Sequence, residues 1–475
     1  MPGVITFNQP QPTKNDWSPR LGFAYSPGTS GAWSIRGGFS RAFDMPYTNI
    51  AANTAPEFYG SDVGINPTAA TPNFLASGGI TGTSGLLSSV AAARSGISAY
   101  TQEQQRPYAV NATLSVQRRI GKDYLLEARY LSSRGDHLLV QTQLNRNAIV
   151  TPTQNIPTFL TMPSAAQLAA LTLTTGALEA ISNNPWAAYG ITNAVTDYAP
   201  RGNSDYNGLA LQMTRRFSRD LSFIAAYTWS HTMDDSTATV NTTLLTPRRP
   251  QDFNNIAAEW SNSMLDRRQR FTFSPVYDIN PFKSGNWALR NLVGNWNIGL
   301  TYTYESPEYA TVQSGTDANL NGDTMSSRAI INPAGNATTG SSVTGYNAAG
   351  VAQALNSPTI VAYVANNSNA RYIVAGIGAL ANGGRNTFPL DPINNLDASL
   401  RKRLAISERL KLEIGIEFFN LLNHSQYTGG YPNDVAQEPN TNRNFLIPGM
   451  SLFGQYQQFF PSNARTGQLL ARFTF

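Results

Sequence analysis

The spacing most suggestive of chemistry lies at Asp317-Ala-Asn319-Leu-Asn321-Gly322-Asp323. Side-chain oxygens fall at every second position and a glycine sits at the sharp turn, as in a loop that wraps calcium. The twelfth position is Arg328, where an EF-hand has a bidentate glutamate. Calcium and a plain polar turn both fit, and calcium is the one cofactor to consider. A second group brackets a long connection: Asp234 and Asp235 before it, Asp266, Arg267 and Arg268 after it. These residues fit a charged outer-rim cluster that orders loops or meets a ligand, and equally solvated loop ends. His137, His231 and His424 make no metal-binding pair in sequence and suit rim hydrogen bonding. Gly376-Ile-Gly378 lacks the third glycine and the βαβ setting of a dinucleotide site. Arg134-Gly-Asp136 reads as a turn. No Ser-His-Asp, paired-carboxylate or phosphate-cradling pattern stands out, so no catalytic residue is assigned and an enzyme is not expected.

Composition narrows the setting of these residues. The chain has no cysteine, which excludes disulfides, zinc–thiolate sites, iron–sulfur clusters and cysteine nucleophiles. Charged residues make up 13%, about half the usual share, while aromatics reach 11%. The formal charge of +5 is spread along the chain without a Lys/Arg block, so nucleic acid is not an expected partner. No run approaches 18 apolar residues, so no transmembrane helix is expected. Strands of about 9–11 residues still suffice to cross a membrane in a barrel.

Eleven segments alternate at period two and are the elements that must position the candidate residues. They are Leu21–Ser26, Trp33–Phe43, Tyr108–Arg119, Tyr124–Leu139, Tyr206–Phe217, Leu221–Thr232, Arg268–Ile279, Val293–Glu305, Leu396–Arg403, Leu410–Asn420 and a C-terminal strand ending at Phe475. One face carries Leu211, Phe223, Tyr227, Trp229, Trp296, Leu300, Tyr302, Ile414, Phe418 and Phe473, and is expected to meet lipid. The other carries Gln212, Thr228, Asn297, Thr301, Arg401, Glu413 and Arg472.

A soluble sandwich would alternate in the same way, but the connections differ. Short turns, the one at 280–292 of moderate length, separate long stretches at roughly 45–107, 140–205, 233–267, 306–395 and 421–465. Soluble domains seldom carry loops beyond about 12–15 residues. Outer-membrane barrels combine short periplasmic turns with long outer loops. The fold class expected is therefore all-β: a partial transmembrane antiparallel up-and-down β-barrel with long extracellular loops. The loops are not cleanly disordered, because Trp186, Tyr189, Tyr363 and Tyr372 are available to pack. Short helices are expected at Ser164–Ala170 and Gly350–Leu355. With eleven strands, the first and last run the same way, so the sheet is expected to stay open at 21–26 and 468–475.

Several stretches resemble the barrel motifs of Oar-like TonB-dependent receptors. They are Ser18-Pro-Arg-Leu-Gly-Phe-Ala-Tyr25, Tyr206-Asn-Gly-Leu-Ala-Leu-Gln212, Ala226-Tyr-Thr-Trp-Ser-His-Thr-Met-Asp-Asp235 and Asp266-Arg-Arg-Gln-Arg-Phe271. Gly384-Arg-Asn386 before Leu396-Asp-Ala-Ser-Leu400, and Glu417-Phe-Phe-Asn-Leu-Leu-Asn-His424, continue the set in order. The resemblance implies a twenty-two-stranded barrel with a plugged lumen. It implies partners in outer-membrane lipid, the barrel assembly machinery, the TonB system through a region not present here, and an unknown extracellular ligand. It also implies that Phe475 ends the assembly signal.

Residues 1–475 are thus expected to form one partial barrel domain, with 1–19 as a lead-in and no plug. The opening Met1-Pro-Gly-Val-Ile-Thr-Phe7 has no basic or long apolar region, so a fragment or a mis-called start is expected. Localisation in the outer membrane and ligand uptake follow for the full-length receptor. A structural or adhesive surface protein is the alternative, and a soluble carbohydrate binder the third reading.

Overall fold

A computed structural model describes residues 15–44, 99–100, 105–236, 245–282, 286–407, 410–427, 444–460 and 462–475. The expected outer loop at 45–107 lies almost wholly outside the described residues, as do part of 421–465 and most of the lead-in.

Alternation becomes a ladder of eleven strands: β1 Arg20–Tyr25, β2 Trp33–Phe43, β3 Tyr108–Ile120, β4 Tyr124–Gln143, β5 Thr196–Ser218, β6 Leu221–Asp234, β7 Gln269–Ile279, β8 Trp296–Glu305, β9 Ile393–Ala405, β10 Lys411–Phe419 and β11 Thr466–Thr474. Each pairs antiparallel with the next in sequence order. Two short pieces, Ala99–Tyr100 and Ser261–Asn262, add to β5 and β6. Two-residue turns close β5–β6 where Arg219 and Asp220 take positive φ. No described residue of β1 pairs with β11, so the sheet does not close.

Cross-strand partners share a face, so the register sorts the side chains. Leu211 stands opposite Tyr227, Tyr227 opposite Phe271, and Phe271 opposite Tyr304. Trp296, Lys402, Ile414 and Ala471 form another row on that face. Asn297 pairs with Arg401 and Glu413 with Arg472 on the other face. Every residue expected on the lipid side therefore lies on one face, and the polar set lies opposite. The apolar face is bare along the chain, with Leu211, Trp229, Ile414 and Phe473 all exposed. The polar face pairs its charges: Arg403 Nε lies 3.1 Å from Glu413, and Asn297 donates to Asp278 at 2.6 Å.

The buried apolar core lies outside this sheet. It is built by the outer loops, which join into one cap with two large clusters and a small third one at Leu168, Val361 and Ala362. One large cluster gathers Leu245, Val312, Tyr372, Phe388, Phe445 and Tyr456. The other gathers Ile156, Leu178, Val343, Ile360, Tyr363 and Ile373. Backbone bonds stitch loop to loop: Ile156 N–H donates to Gly378 O at 2.8 Å, and Thr311 N–H to Leu245 O at 2.7 Å. The ends of β4 and β5 run on past the about 9–11 residues a membrane needs and become buried at Val140 and Gln141. They form a ribbon that carries the cap.

Helix is minor, as expected. Ala165–Ala169 is capped by Ser164 in a reciprocal box with Gln167. Thr175–Glu179 starts from Thr174. The helix expected at Gly350–Leu355 does not form. Instead Asn347 Oδ1 accepts from the Ala349 and Val351 N–H groups, and Ala352–Gln353 folds back as a strand on Gly345–Tyr346. An Asx turn and a ladder satisfy the backbone there, where a helix would need its own caps.

Candidate functional site: the charged seam of the outer cap

The candidate residues gather where the connection after β6 meets the long connection between β8 and β9. The end of β6 brings Asp234 and Asp235; the start of β7 brings Asp266, Arg267 and Arg268. Asp266 and Arg268 meet each other, while Asp234, Asp235 and Arg267 turn to partners outside the set. Asp234 binds the guanidinium of Arg385. Asp235 accepts from the Asn203 N–H at 2.9 Å and its side-chain amide at 3.1 Å. Asp266 accepts from Thr232 N–H at 2.7 Å and lies 3.4 Å from Arg268. Arg267 turns to Glu308 and to Glu305, the latter at 3.7 Å. Asp234, Asp235 and Asp266 are all at most 6% exposed, so these carboxylates face other loops rather than solvent.

Three residues hold the centre: Glu259, which the sequence did not single out, Arg328, met there only as the wrong residue for a calcium ligand, and Arg385, met only within a motif. Glu259 is 2% exposed and pairs with Arg328. Arg385 lies between Asp234 and Glu259, donating from Nε to the Glu259 carbonyl at 3.1 Å. Burial and then Arg385 push the Arg328 guanidinium down to about 9. The Glu259 carboxylate against it favours the charged form. Next to Arg385, Asn386 N–H donates to Thr311 Oγ1 at 2.9 Å, and Asn386 Nδ2 to Asn262 O at 2.8 Å. The Gly-Arg-Asn triplet was visible in sequence; its two-sided role as a latch was not.

Gln251 joins this centre to the Asp317–Asp323 turn. Its N–H donates to Glu259 at 2.9 Å, its side-chain oxygen accepts from Arg328 N–H at 3.1 Å, and its carbonyl accepts from Asn321 Nδ2 at 3.0 Å. Within the turn, Asp317 accepts from Asn321 N–H at 3.1 Å and Gly322 N–H at 2.7 Å. Asn319 accepts from Asn321 N–H at 3.3 Å and Asn321 from Asp323 N–H at 2.8 Å. Gly322 takes φ +87°, which a side chain would resist. Asp323 is met by Arg249 Nε at 2.6 Å. The oxygens a cation would use are turned to the turn's own backbone and to a guanidinium. Burial raises Asp317, partly offset by the Gly322 and Asn321 N–H groups. Burial raises Asp235 as well, against the hydrogen bonds from Asn203.

The remaining motifs are packing features. A Cβ on Gly376 would lie 2.3 Å from the Tyr363 ring, so the glycine there admits a buried tyrosine. Tyr363 and Tyr372 are buried in the cap, Trp186 is half-buried and Tyr189 is exposed. Arg134 turns onto Asp136 at 3.1 Å within β4. His231 shares a 2.9 Å hydrogen bond with Asn262, and His137 stacks on Tyr108 at 5.5 Å. Among the described residues no group of three His, Asp or Glu side chains is placed to hold a metal. Phe475 is 92% exposed, with its ring 6.4 Å from Phe473.

The family model for an outer membrane beta barrel domain matches residues 5–468. The chain belongs to this outer membrane β-barrel family. It is thus an outer-membrane protein whose apolar strand face meets lipid. A search of curated proteins finds no match. Among solved structures, the chain is similar to the outer membrane transporter YddB from Escherichia coli at 10% identity and TM-score 0.37, over 84% of this chain and 36% of that one. It is also similar to the siderophore receptor PiuA from Acinetobacter baumannii at 9% identity and TM-score 0.38, over 96% of this chain and 35% of that one. The FrpB iron transporter from Neisseria meningitidis matches at 10% identity and TM-score 0.38, over 96% and 39%. The barrel chain therefore spans less than two fifths of the length of these structures.

Proposed function

We propose that this chain supplies half of the barrel and a large share of the outer loops of an Oar-like TonB-dependent receptor that imports an extracellular ligand. Residues 1–475 act in this reading as one partial barrel domain, with 1–19 as its lead-in. The observation that carries it is the open sheet. β1 and β11 both run from the outer side inward, so an antiparallel barrel closes only if the rest of the receptor adds an odd number of strands. The eleven further strands of a twenty-two-stranded barrel meet that condition.

The cap supports the binding half of the reading. Buried ion pairs and three apolar clusters hold its loops as one body, so its outer surface is preorganised. A preorganised surface binds with less entropic cost than free loops. Asp234, Asp235, Asp266, Arg267 and Arg268 order the loops, and exposed residues such as Leu160, Met162, Tyr189 and Val351 are the ones a ligand meets. Calcium has no part in this reading, since Arg249 already answers Asp323. The chain acts as a receptor and transporter rather than an enzyme.

Two measurements test import. The coding sequence upstream of Met1 is expected to encode, in frame, a plug and a TonB-contacting segment. Ligand uptake by cells carrying the receptor is expected to stop when TonB is deleted, while surface binding persists. Binding with uptake indifferent to TonB would leave the adhesive surface protein as the better reading.

A further inference from the structure

The apolar face carries few charges, and their positions are uneven. At the outer ends of the strands, Arg134, Asp136 and Asp205 mix both signs and Arg41 lies over the adjoining rings of Phe43 and Tyr108. At the inner ends, the charges that the described strands place on this face are Arg118, Arg215 and Lys402, with no acid among the described strand residues beside them. Each lies over an aromatic ring: Arg118 at 4.7 Å from Trp33, Arg215 at 5.6 Å from Tyr124, Lys402 at 4.7 Å from Trp296. Lys402 is spoken for, because its ammonium donates to the carbonyls of Leu292 and Gly294. Arg118 is exposed. Arg215 donates to Ser218 O at 3.1 Å, but its buried Nε has no partner.

Arg118 and Arg215 stand on β3 and β5, one on each side of β4, opposite Leu126 and Tyr124. Two strand spacings and a two-residue offset along β4 separate their backbones, roughly 11–12 Å; Arg215 already lies over Tyr124 of β4, and the Arg118 side chain, now over Trp33, is long enough to turn toward a group above β4. A groove of about 480 Å³, lined at this end by Arg118 and Trp33 and reaching Met213, two residues before Arg215, opens on the apolar face. Small side chains at Ala128 and Ala225 form its floor, and Val116, Leu126, Leu211 and Met213 its aliphatic sides.

We propose that Arg118 and Arg215 bind the phosphate of an anionic phospholipid in the periplasmic leaflet, with an acyl chain laid in the groove over Ala128 and Ala225. Charge complementarity selects the occupant. Guanidinium forks match phosphate oxygens bidentately, and anionic headgroups gather at basic pockets on membrane proteins. A zwitterionic lipid offers the same phosphate but brings its own cation to a place that already holds two. The groove lies well inside the sheet, between β2 and β7, so closure of the barrel at β1 and β11 leaves it facing lipid.

The test uses the full-length receptor that carries this chain, extracted from outer membranes with its annular lipid in styrene–maleic acid nanodiscs. Mass spectrometry compares phosphatidylglycerol plus cardiolipin with phosphatidylethanolamine in the discs and in the bulk membrane. Enrichment of about threefold or more is expected. It should fall to the bulk ratio in Arg118→Gln/Arg215→Gln and persist in Arg119→Gln, which removes a charge at the same height on the opposite face, where Arg119 donates to Ser30 O. Ala128→Phe keeps both charges and fills the groove, so it should also lose enrichment. An unchanged ratio in the double variant, or equal loss in Arg119→Gln, would overturn the proposal. Enrichment that survives Ala128→Phe would overturn the acyl seat.

Discussion

At the scale of single residues, Arg385 decides how firmly the cap is held. It is 2% exposed and answers Asp234 and Glu259, which come from different elements. Removing one partner of a buried ion pair costs about 3–5 kcal/mol, because the carboxylates stay behind. Arg385→Ala should therefore speed proteolysis and amide exchange across 306–392 and leave exchange in β8 and β9 unchanged. Equal exchange in the cap would mean that the apolar clusters suffice. Asp235 and Asp317 titrate in the opposite sense to most native carboxylates. Burial raises both above their ordinary values, so the folded cap favours their protonated form. The stability they contribute is complete below the ordinary carboxylate pKa of about 3.9 and is lost as pH rises through the raised folded values. Cap opening, measured by exchange corrected for its intrinsic pH dependence, should become rarer as pH falls from neutral toward mildly acid. Asp235→Asn should flatten that trend, and a slope unchanged in this variant would assign it elsewhere.

At the scale of elements, the register makes a sharp distinction between neighbours. Leu300 sits mid-strand on the apolar face and Thr301 on the polar face, opposite Ala398 and Asp397 respectively. A charge facing lipid near the membrane midplane costs about 2–4 kcal/mol. Leu300→Arg should lower the heat-modifiable fraction in outer membranes, whereas Thr301→Arg, beside Asp397, should leave it near the parent level. The reverse result would mean that the strand is shifted by one residue. This much was legible in the sequence, because period-two patterning such as Trp296/Asn297 is a local signal. Strand ends were legible to within a few residues where patterning persisted. The first ten residues of β5, Thr196–Asp205, were missed because they are polar, contain a proline and hold their place through β4 rather than through alternation. Val293 was assigned to a strand but ends a π-helix, and Asn295 then turns with φ +59°. Packing of the loops was foreshadowed by Tyr363 and Tyr372, both buried in the cap, but its ion-pair centre was not. Glu259, Arg328 and Arg385 lie up to 126 positions apart, and nothing in their local spacing announces that they meet.

At the scale of the whole molecule, the sheet has two ends and a terminus that must be read together. The last residue, Phe475, is exposed beyond β11, and nothing in the fold of this chain requires its ring. If it serves as an assembly signal, deleting it in the full-length receptor should lower outer-membrane yield with no change in the stability of the protein that does insert. A matched fall in stability would instead give the ring a packing role. The stronger constraint is parity. An odd number of strands makes β1 and β11 parallel, whereas bacterial single-chain outer-membrane barrels have even strand counts and so only antiparallel seams. The backbone groups on the outer edges of both strands are left for other chain to satisfy, and exposed edges of this kind pair with whatever strand they meet. The chain expressed alone should therefore accumulate as insoluble material. Its two edges should also stay apart within one molecule. Phe23 and Ala471 point to the same face on the two edge strands, so Phe23→Cys/Ala471→Cys places a thiol on each edge with matching orientation. In the full-length receptor, oxidation should give no disulfide between positions 23 and 471 on a non-reducing gel, because the remaining strands stand between them. An intramolecular disulfide formed in good yield would show an eleven-strand barrel closed by a parallel seam, and the half-barrel reading would fall with it.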